Sequence, residues 1–179
     1  PNGLLNAGGG GIDNYNSVLT VTDSLFDRNT SMNSGGGLRV FGGGTVSLAN
    51  VTFSDNEAYI GGGSIFNYDG AVGLVNVTLV GHADPTTSND GIWSQGPLTL
   101  KNTILAGGTG HNCELSSSNI TSQGNNLSND SYCNNYLNQP GDKNFTNPLL
   151  GALQDNGGLT QTYSPQAGSP VINKGTNSG

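Results

Sequence analysis

Residues able to carry chemistry are few in this chain: twelve Asp and Glu, five Lys and Arg, two His and two Cys among 179 residues. A polysaccharide lyase or hydrolase needs carboxylates brought together, often with Ca²⁺ or a cationic base. Here Asp84, Asp90 and Asp155 stand apart in Gly-, Asn- and Ser-rich stretches. They match neither an EF-hand nor a Gly-Gly-x-Gly-x-Asp calcium repeat. The expectation is therefore no cofactor beyond incidental Ca²⁺. His82 and His111 have no Ser-His-Asp order or nucleophile elbow around them. Cys113 and Cys133 enclose nineteen residues and form no CxxC metal pattern. In a secreted protein they would pair, contributing about 3 kcal/mol in the loop-entropy picture. The alternative is two unrelated buried thiols.

Seven Asn-x-Ser/Thr sequons occur, at Asn29, Asn50, Asn76, Asn119, Asn126, Asn129 and Asn144. With so much Asn, Ser and Thr, chance alone gives about five. Asn119, Asn126, Asn129 and Asn144 fall in polar, loop-like sequence and are the candidate glycosylation sites. Asn50 and Asn76 belong to a repeat and are expected to face inward, beyond the reach of a glycan.

The elements that must position these residues are written as that repeat. Segments 19–26, 46–53, 72–79 and 98–105 align, and their pivots Asp23, Asn50, Asn76 and Asn102 lie 27, 26 and 26 residues apart. A glycine cluster precedes each: Gly8 to Gly11, Gly35 to Gly37, Gly61 to Gly63, then the weaker Asp90-Gly91. Each cluster leads into an apolar stretch containing Ile12, Leu38, Ile65 or Ile92. Apolar residues alternate, as at Leu19 and Val21, which is the period of a strand. Abundant Gly and β-branched residues oppose helix. Short strands recurring about every 26 residues predict an all-β, right-handed, single-stranded parallel β-helix with turns about 4.8 Å apart. A propeller needs longer repeats, and a leucine-rich repeat needs denser Leu and a helix. The whole chain, 1–179, is expected to be one domain: regular coils over 1–112, then an irregular, disulfide-tied region over 113–179. In that region 149–153, 160–163 and 171–173 are expected to be strands of a last coil.

Stacking turns the repeat into a test for chemistry. Leu19, Val46, Val72 and Leu98 form one inward column; Phe26, Phe53, Leu79 and Leu105 form another. The Asp23, Asn50, Asn76 and Asn102 column sits at a bend, where stacked amides hydrogen-bond along the column. No acidic column appears: Asp13 is followed by Arg39 and Phe66, Asp27 by Ser54 and Val80, Asp69 by Gln95. Arg28 could pair with Asp55 across turns, for at most about 1 kcal/mol. The outward columns are richer. One runs Asp13, Arg39, Phe66, Trp93 and the next Tyr15, Phe41, Tyr68, Gln95. Tyr15, Phe41, Phe66, Tyr68 and Trp93 thus gather in a chain only 7% aromatic. Such a patch could stack on sugars or bury against another chain, unless a C-terminal loop covers it or a one-residue shift of register turns some of the rings into the core.

The Gly-Gly-Gly-Ile12 and Asn-Val-Thr-Phe-Ser-Asp-Asn56 runs resemble bacterial surface β-helix proteins of the polymorphic outer-membrane-protein type. The tail is more specific: Asn147-Pro-Leu-Leu-Gly-Ala-Leu-Gln-Asp-Asn-Gly-Gly-Leu-Thr-Gln-Thr, then Gly168-Ser-Pro-Val-Ile-Asn173, is similar to the choice-of-anchor Q family. The likeness covers nearly the whole chain. It implies a right-handed parallel β-helix of secreted or surface-attached bacterial proteins, with no shared enzymatic activity. Members of that family usually continue beyond the equivalent of Gly175, and Pro1 in place of Met marks this chain as a processed product or a fragment.

Composition narrows the function further. Five scattered cations make nucleic acid an improbable partner. No apolar run approaches the roughly 20 residues of a membrane span, so no membrane insertion is expected. Net charge −7 with only 9% charged residues suits an extracellular or cell-surface setting. A β-helix exposes strand edges at its ends, which points to end-to-end self-association. The expectation is a non-enzymatic structural or adhesive protein, a filament subunit or part of a larger surface protein. The alternative is a glycan-binding or carbohydrate-active module.

Overall fold

The computed structural model describes residues 8–81, 91–108, 110–115 and 120–176. The chain winds as a parallel β-solenoid. The first turn holds β1 (Ile12–Tyr15), β2 (Val18–Asp27) and β3 (Thr30–Ser31). The second holds β4 (Leu38–Phe41), β5 (Thr45–Ser54) and β6 (Glu57–Ala58). The third holds β7 (Ile65–Asn67), β8 (Ala71–Val75) and β9 (Thr78–Val80). The fourth holds β10 (Ile92–Ser94), β11 (Leu98–Lys101) and β12 (Ile104–Ala106). A shortened fifth rung holds β13 (Cys113–Leu115), β14 (Ile120–Ser122) and β15 (Leu127–Ser128). One sheet runs β1-β4-β7-β10-β13, and a second is built from the remaining long strands of each turn. Strands β2 and β5 pass unbroken through a corner that later turns split into β8/β9 and β11/β12.

The register follows the repeat. Leu19, Val46, Val72 and Leu98 stack, as do Phe26, Phe53, Leu79 and Leu105, and Ile12, Leu38, Ile65 and Ile92. Alternate residues of each strand face one side, so a single two-residue period fills one interior. From the second turn on, these side chains are almost completely buried. Each such burial contributes about 1.5–3 kcal/mol. The rings of Phe26 and Phe53 stack 4.6 Å apart and nearly parallel. Glycine is required where rungs touch backbone to backbone. A Cβ on Gly70 would run into the carbonyl oxygen of Gly44, and one on Gly96 into that of Gly70.

After 112 the solenoid continues as a coil of irregular step, as expected: Cys113 pairs with Ile92, Ile120 with Leu98 and Leu127 with Ile104, so the step shrinks to 21, 22 and 23 residues. Beyond it the structure departs from expectation, since 149–153 and 160–163 are not strands of a coil. They contain an antiparallel hairpin of β16 (Leu150–Gln154) and β17 (Thr162–Pro165), and 171–173 lies in a turn. The cause is local. Asp155 accepts a hydrogen bond from Gly157 N at 2.8 Å, and Gly157 takes φ 88°, so the chain reverses before it can travel round the solenoid.

Residues 131–146 close the C-terminal end. Cys113 and Cys133 are disulfide-bonded, with Cα atoms 5.2 Å apart. The bond brings Cys133 and Leu137 into the core beside Leu115, and the Tyr136 hydroxyl donates to the Leu115 carbonyl. Lys143 N donates to Asn126 O and Ser128 N to Lys143 O, both at 2.8 Å, which adds a partial rung beneath β15.

Candidate functional site

The outer face of the β1-β4-β7-β10 wall carries the expected aromatic residues. Inward Ile12, Leu38, Ile65 and Ile92 force their neighbours outward. Tyr15 and Phe41 stack at 5.9 Å and Tyr68 and Trp93 at 6.4 Å, while Phe41 and Tyr68 meet at 5.2 Å with planes tilted by 34°. In the adjacent column Phe66 and Trp93 stack at 4.3 Å with planes 5° apart. Tyr15 is 65% and Tyr68 45% exposed; Phe41, Phe66 and Trp93 are half-buried by one another. Arg39 lies across the strip. Its guanidinium sits 5.2 Å from the Phe41 ring centre and 3.6 Å from the Asp13 carboxylate. Among the described residues, the hydrogen bonds of the C-terminal segment to the solenoid fall on the other sheet, where Tyr163 Oη meets Ser54 Oγ at 2.9 Å and Thr176 meets Asn102.

The orientation of the rings decides what the strip can do. Tyr15 with Phe41, Phe66 with Trp93 and Tyr68 with Trp93 are near-parallel pairs that cover one another's facing ring surfaces. Flat stacking of a sugar needs an open ring face, which this strip offers only at its extremities.

The pivot column is a hydrogen-bonded ladder, but it faces solvent. Asn50 donates to Asp23 at 3.0 Å, Asn76 to Asn50 at 3.0 Å and Asn102 to Asn76 at 2.8 Å. Asp23, Asn50 and Asn76 are exposed, which corrects the inward placement expected for Asn50 and Asn76. The reason is the backbone. All four residues take φ between 47° and 57°, a left-handed corner that turns the side chain away from the interior. Asn125 adopts the same conformation at φ 58° one rung further on, a fifth pivot hidden in sequence by the shortened step. Thr176 N donates to Asn102 Oδ1, so the C-terminal segment ends the side-chain ladder there. A second left-handed column contains Arg28, Asp55, Gly81 and Gly107. Arg28 bonds its neighbour Asp27 at 2.6 Å instead of the expected Asp55.

Amides also fill the interior. Asn56 accepts from Asn29 N and Nδ2 of the preceding turn and donates to Phe26 O. Asn126, a candidate glycosylation site, is another such residue and is only 1% exposed. It accepts from Thr103 N at 2.8 Å and donates to Ser122 Oγ, Leu100 O and Asp142 Oδ1. No glycan could occupy that nitrogen in the folded chain. Asn144 is half-buried, its amide donating to Leu137 O at 2.9 Å, while Asn129 is exposed. Asn119, His82, Asp84 and Asp90 lie outside the described residues. His111 stacks on Tyr132 with ring centres 3.3 Å apart.

Among the described residues Tyr163 is the one group whose titration is clearly displaced. Burial raises its pKa above the ordinary phenol value; the Ser54 hydrogen bond lowers it, and the charges of Asp55 and Asp27 raise it again. Among the described residues no three His, Cys, Asp or Glu side chains converge as a metal-binding set. No helix among them is long and apolar enough to cross a membrane. No protein-family model, curated protein or solved structure matches this chain. The resemblance to choice-of-anchor Q proteins therefore rests on the quoted motifs alone.

Proposed function

We propose that this chain is a non-enzymatic, extracellular structural and adhesive β-solenoid whose contact surface is the aromatic strip. The observation that carries this reading is the continuity of Tyr15, Phe41, Tyr68, Phe66 and Trp93 across four turns, with Tyr15 65% and Tyr68 45% exposed. A contiguous apolar patch of this kind is costly to leave in water and gains by burial against a partner. Rings that cover one another's faces suit a protein wall better than a flat sugar ring. The disulfide supports an oxidising, extracellular location. Because residues 131–146 cover one end, copies associate side by side through the strip in preference to end to end.

Sedimentation velocity over a concentration series tests this reading. The native chain is expected to form reversible oligomers that Tyr15→Ser/Tyr68→Ser abolishes while its circular dichroism is retained. A polysaccharide panel incubated with Ca²⁺ is expected to remain intact. A chain that stays monomeric at every concentration, or that cleaves a polysaccharide, would overturn the proposal.

A further inference from the structure

A separate recess lies where the pivot corner of the last turns meets the 170–175 turn. It is a cavity of about 220 Å³ with an apolar floor of Ile104, Leu127 and Val171 and with Lys143 and Lys174 on its lining. This is smaller than the roughly 300–1,000 Å³ of sites that take drug-sized ligands, so it admits one ring and not an oligomer. The charge is the telling feature. The chain has only five cations and a net charge of −7. Arg28 and Arg39 are each matched to a carboxylate, Asp27 and Asp13. Among the described residues neither Lys143 nor Lys174 has a carboxylate within ion-pair distance. Two lysines on the lining of one recess, neither ion-paired among the described residues, give it a positive balance that favours an anion.

The walls are fixed before any ligand arrives. Asn102 donates to Asn76 Oδ1 and Thr176 O, and Asn125 donates to Thr176 Oγ1. These bonds pin the 174–176 segment across the corner, which reduces the ordering cost of binding. The recess thus combines an apolar floor for a C–H face, amide walls and two cations.

We infer that this recess binds a single carboxylated sugar ring, with its carboxylate toward Lys143 and Lys174 and one C–H face on Ile104 and Val171. The site is on a different wall from the aromatic strip, so either can fail without the other.

The test is a titration of the ¹⁵N-labelled chain with sodium glucuronate, glucose and sodium sulfate at matched ionic strength, read from amide shifts. Glucuronate is expected to saturate shifts at Asn102, Gly141 and Gly175, with a dissociation constant on the order of 1 mM. Glucose and sulfate should each bind at least about tenfold more weakly, since one lacks the charge and the other the ring. Lys143→Met and Lys174→Met should each weaken glucuronate by about fivefold or more, with the rest of the spectrum unchanged. Four outcomes would overturn the inference: no saturable shift, glucose equal to glucuronate, sulfate equal to glucuronate (an adventitious ion only), or lysine variants that bind as the native chain does.

Discussion

Asn76 shows how one side chain can serve backbone and ladder together. It holds φ 55° at a solvent-facing corner and links Asn50 above to Asn102 below. The left-handed conformation costs a residue such as Ala about 1–2 kcal/mol, whereas Gly adopts it freely. Exposed amide bonds add little, because water replaces them. Asn76→Ala is therefore expected to lose about 1–2 kcal/mol in urea unfolding, and Asn76→Gly clearly less. Equal losses would mean that the ladder bonds, not the corner, dominate. Tyr163 offers a residue-scale test in pH. Its folded pKa is raised, chiefly by burial, so the folded state holds the phenolic proton more tightly than the unfolded one. The corresponding stability is fully present below the ordinary phenol pKa of about 10 and is lost as pH rises through the raised value. Melting temperatures from pH 9 to 11.5 should fall more steeply for the native chain than for Tyr163→Phe. Parallel curves would show that Tyr163 is not coupled to folding.

Among the elements, the C-terminal cap depends most on a single bond. The disulfide joins β13 to the turn that carries Leu137, and without it the 131–146 segment is held to the last rung only by its hydrogen bonds and packing. Closing a loop of this length contributes about 3 kcal/mol. Cys113→Ser/Cys133→Ser is expected to lose about that much and to raise amide exchange in 131–146, with β5 and β8 still protected. Uniform acceleration would instead mean that the cap and the solenoid unfold as one unit. The elements also show what a sequence can reveal. A 26-residue recurrence of alternating apolar residues makes the first four turns and the columns of Ile12, Leu19 and Phe26 legible, because a parallel stack repeats one local environment. The aromatic strip followed from the same arithmetic. The fifth rung was obscured when the step shortened to 21–23 residues. Asn126 reads as a surface sequon because Asn-x-Ser describes three residues and says nothing of the Asp142 and Thr103 groups that enclose the amide. The Lys143 and Lys174 recess had no local signal at all, since its two lysines come from separate segments joined only in three dimensions.

Across the whole molecule the two ends are unequal. At the C-terminal end a disulfide, a buried turn and a partial rung cover the last strands. At the other end β2, ten residues long, pairs only with β5 among the described residues. The consequence is visible in burial. Ile12, Leu19 and Val21 are only half-buried while their counterparts in the next turn are sealed, and Val18 is 84% exposed. Asp13 and Asp23 place negative charge on this first turn, a feature that discourages unwanted pairing at a strand edge. Asp23 also lacks the amide that passes the ladder upward, so the side-chain chain of donors stops where the covered stack stops. In a solenoid each turn is stabilised by its immediate neighbours, so the turn with one neighbour opens first. Native-state hydrogen exchange is therefore expected to be fastest in β1 and β2, slowest in β5, β8 and β11, and intermediate in β14 and β15. In the double cysteine variant the order at the C-terminal end should move toward that of the first turn while the first turn itself is unchanged. Protection that is equal in β2 and β8 would mean that the first turn is shielded as fully as the middle of the stack, and the asymmetry would then have no energetic content.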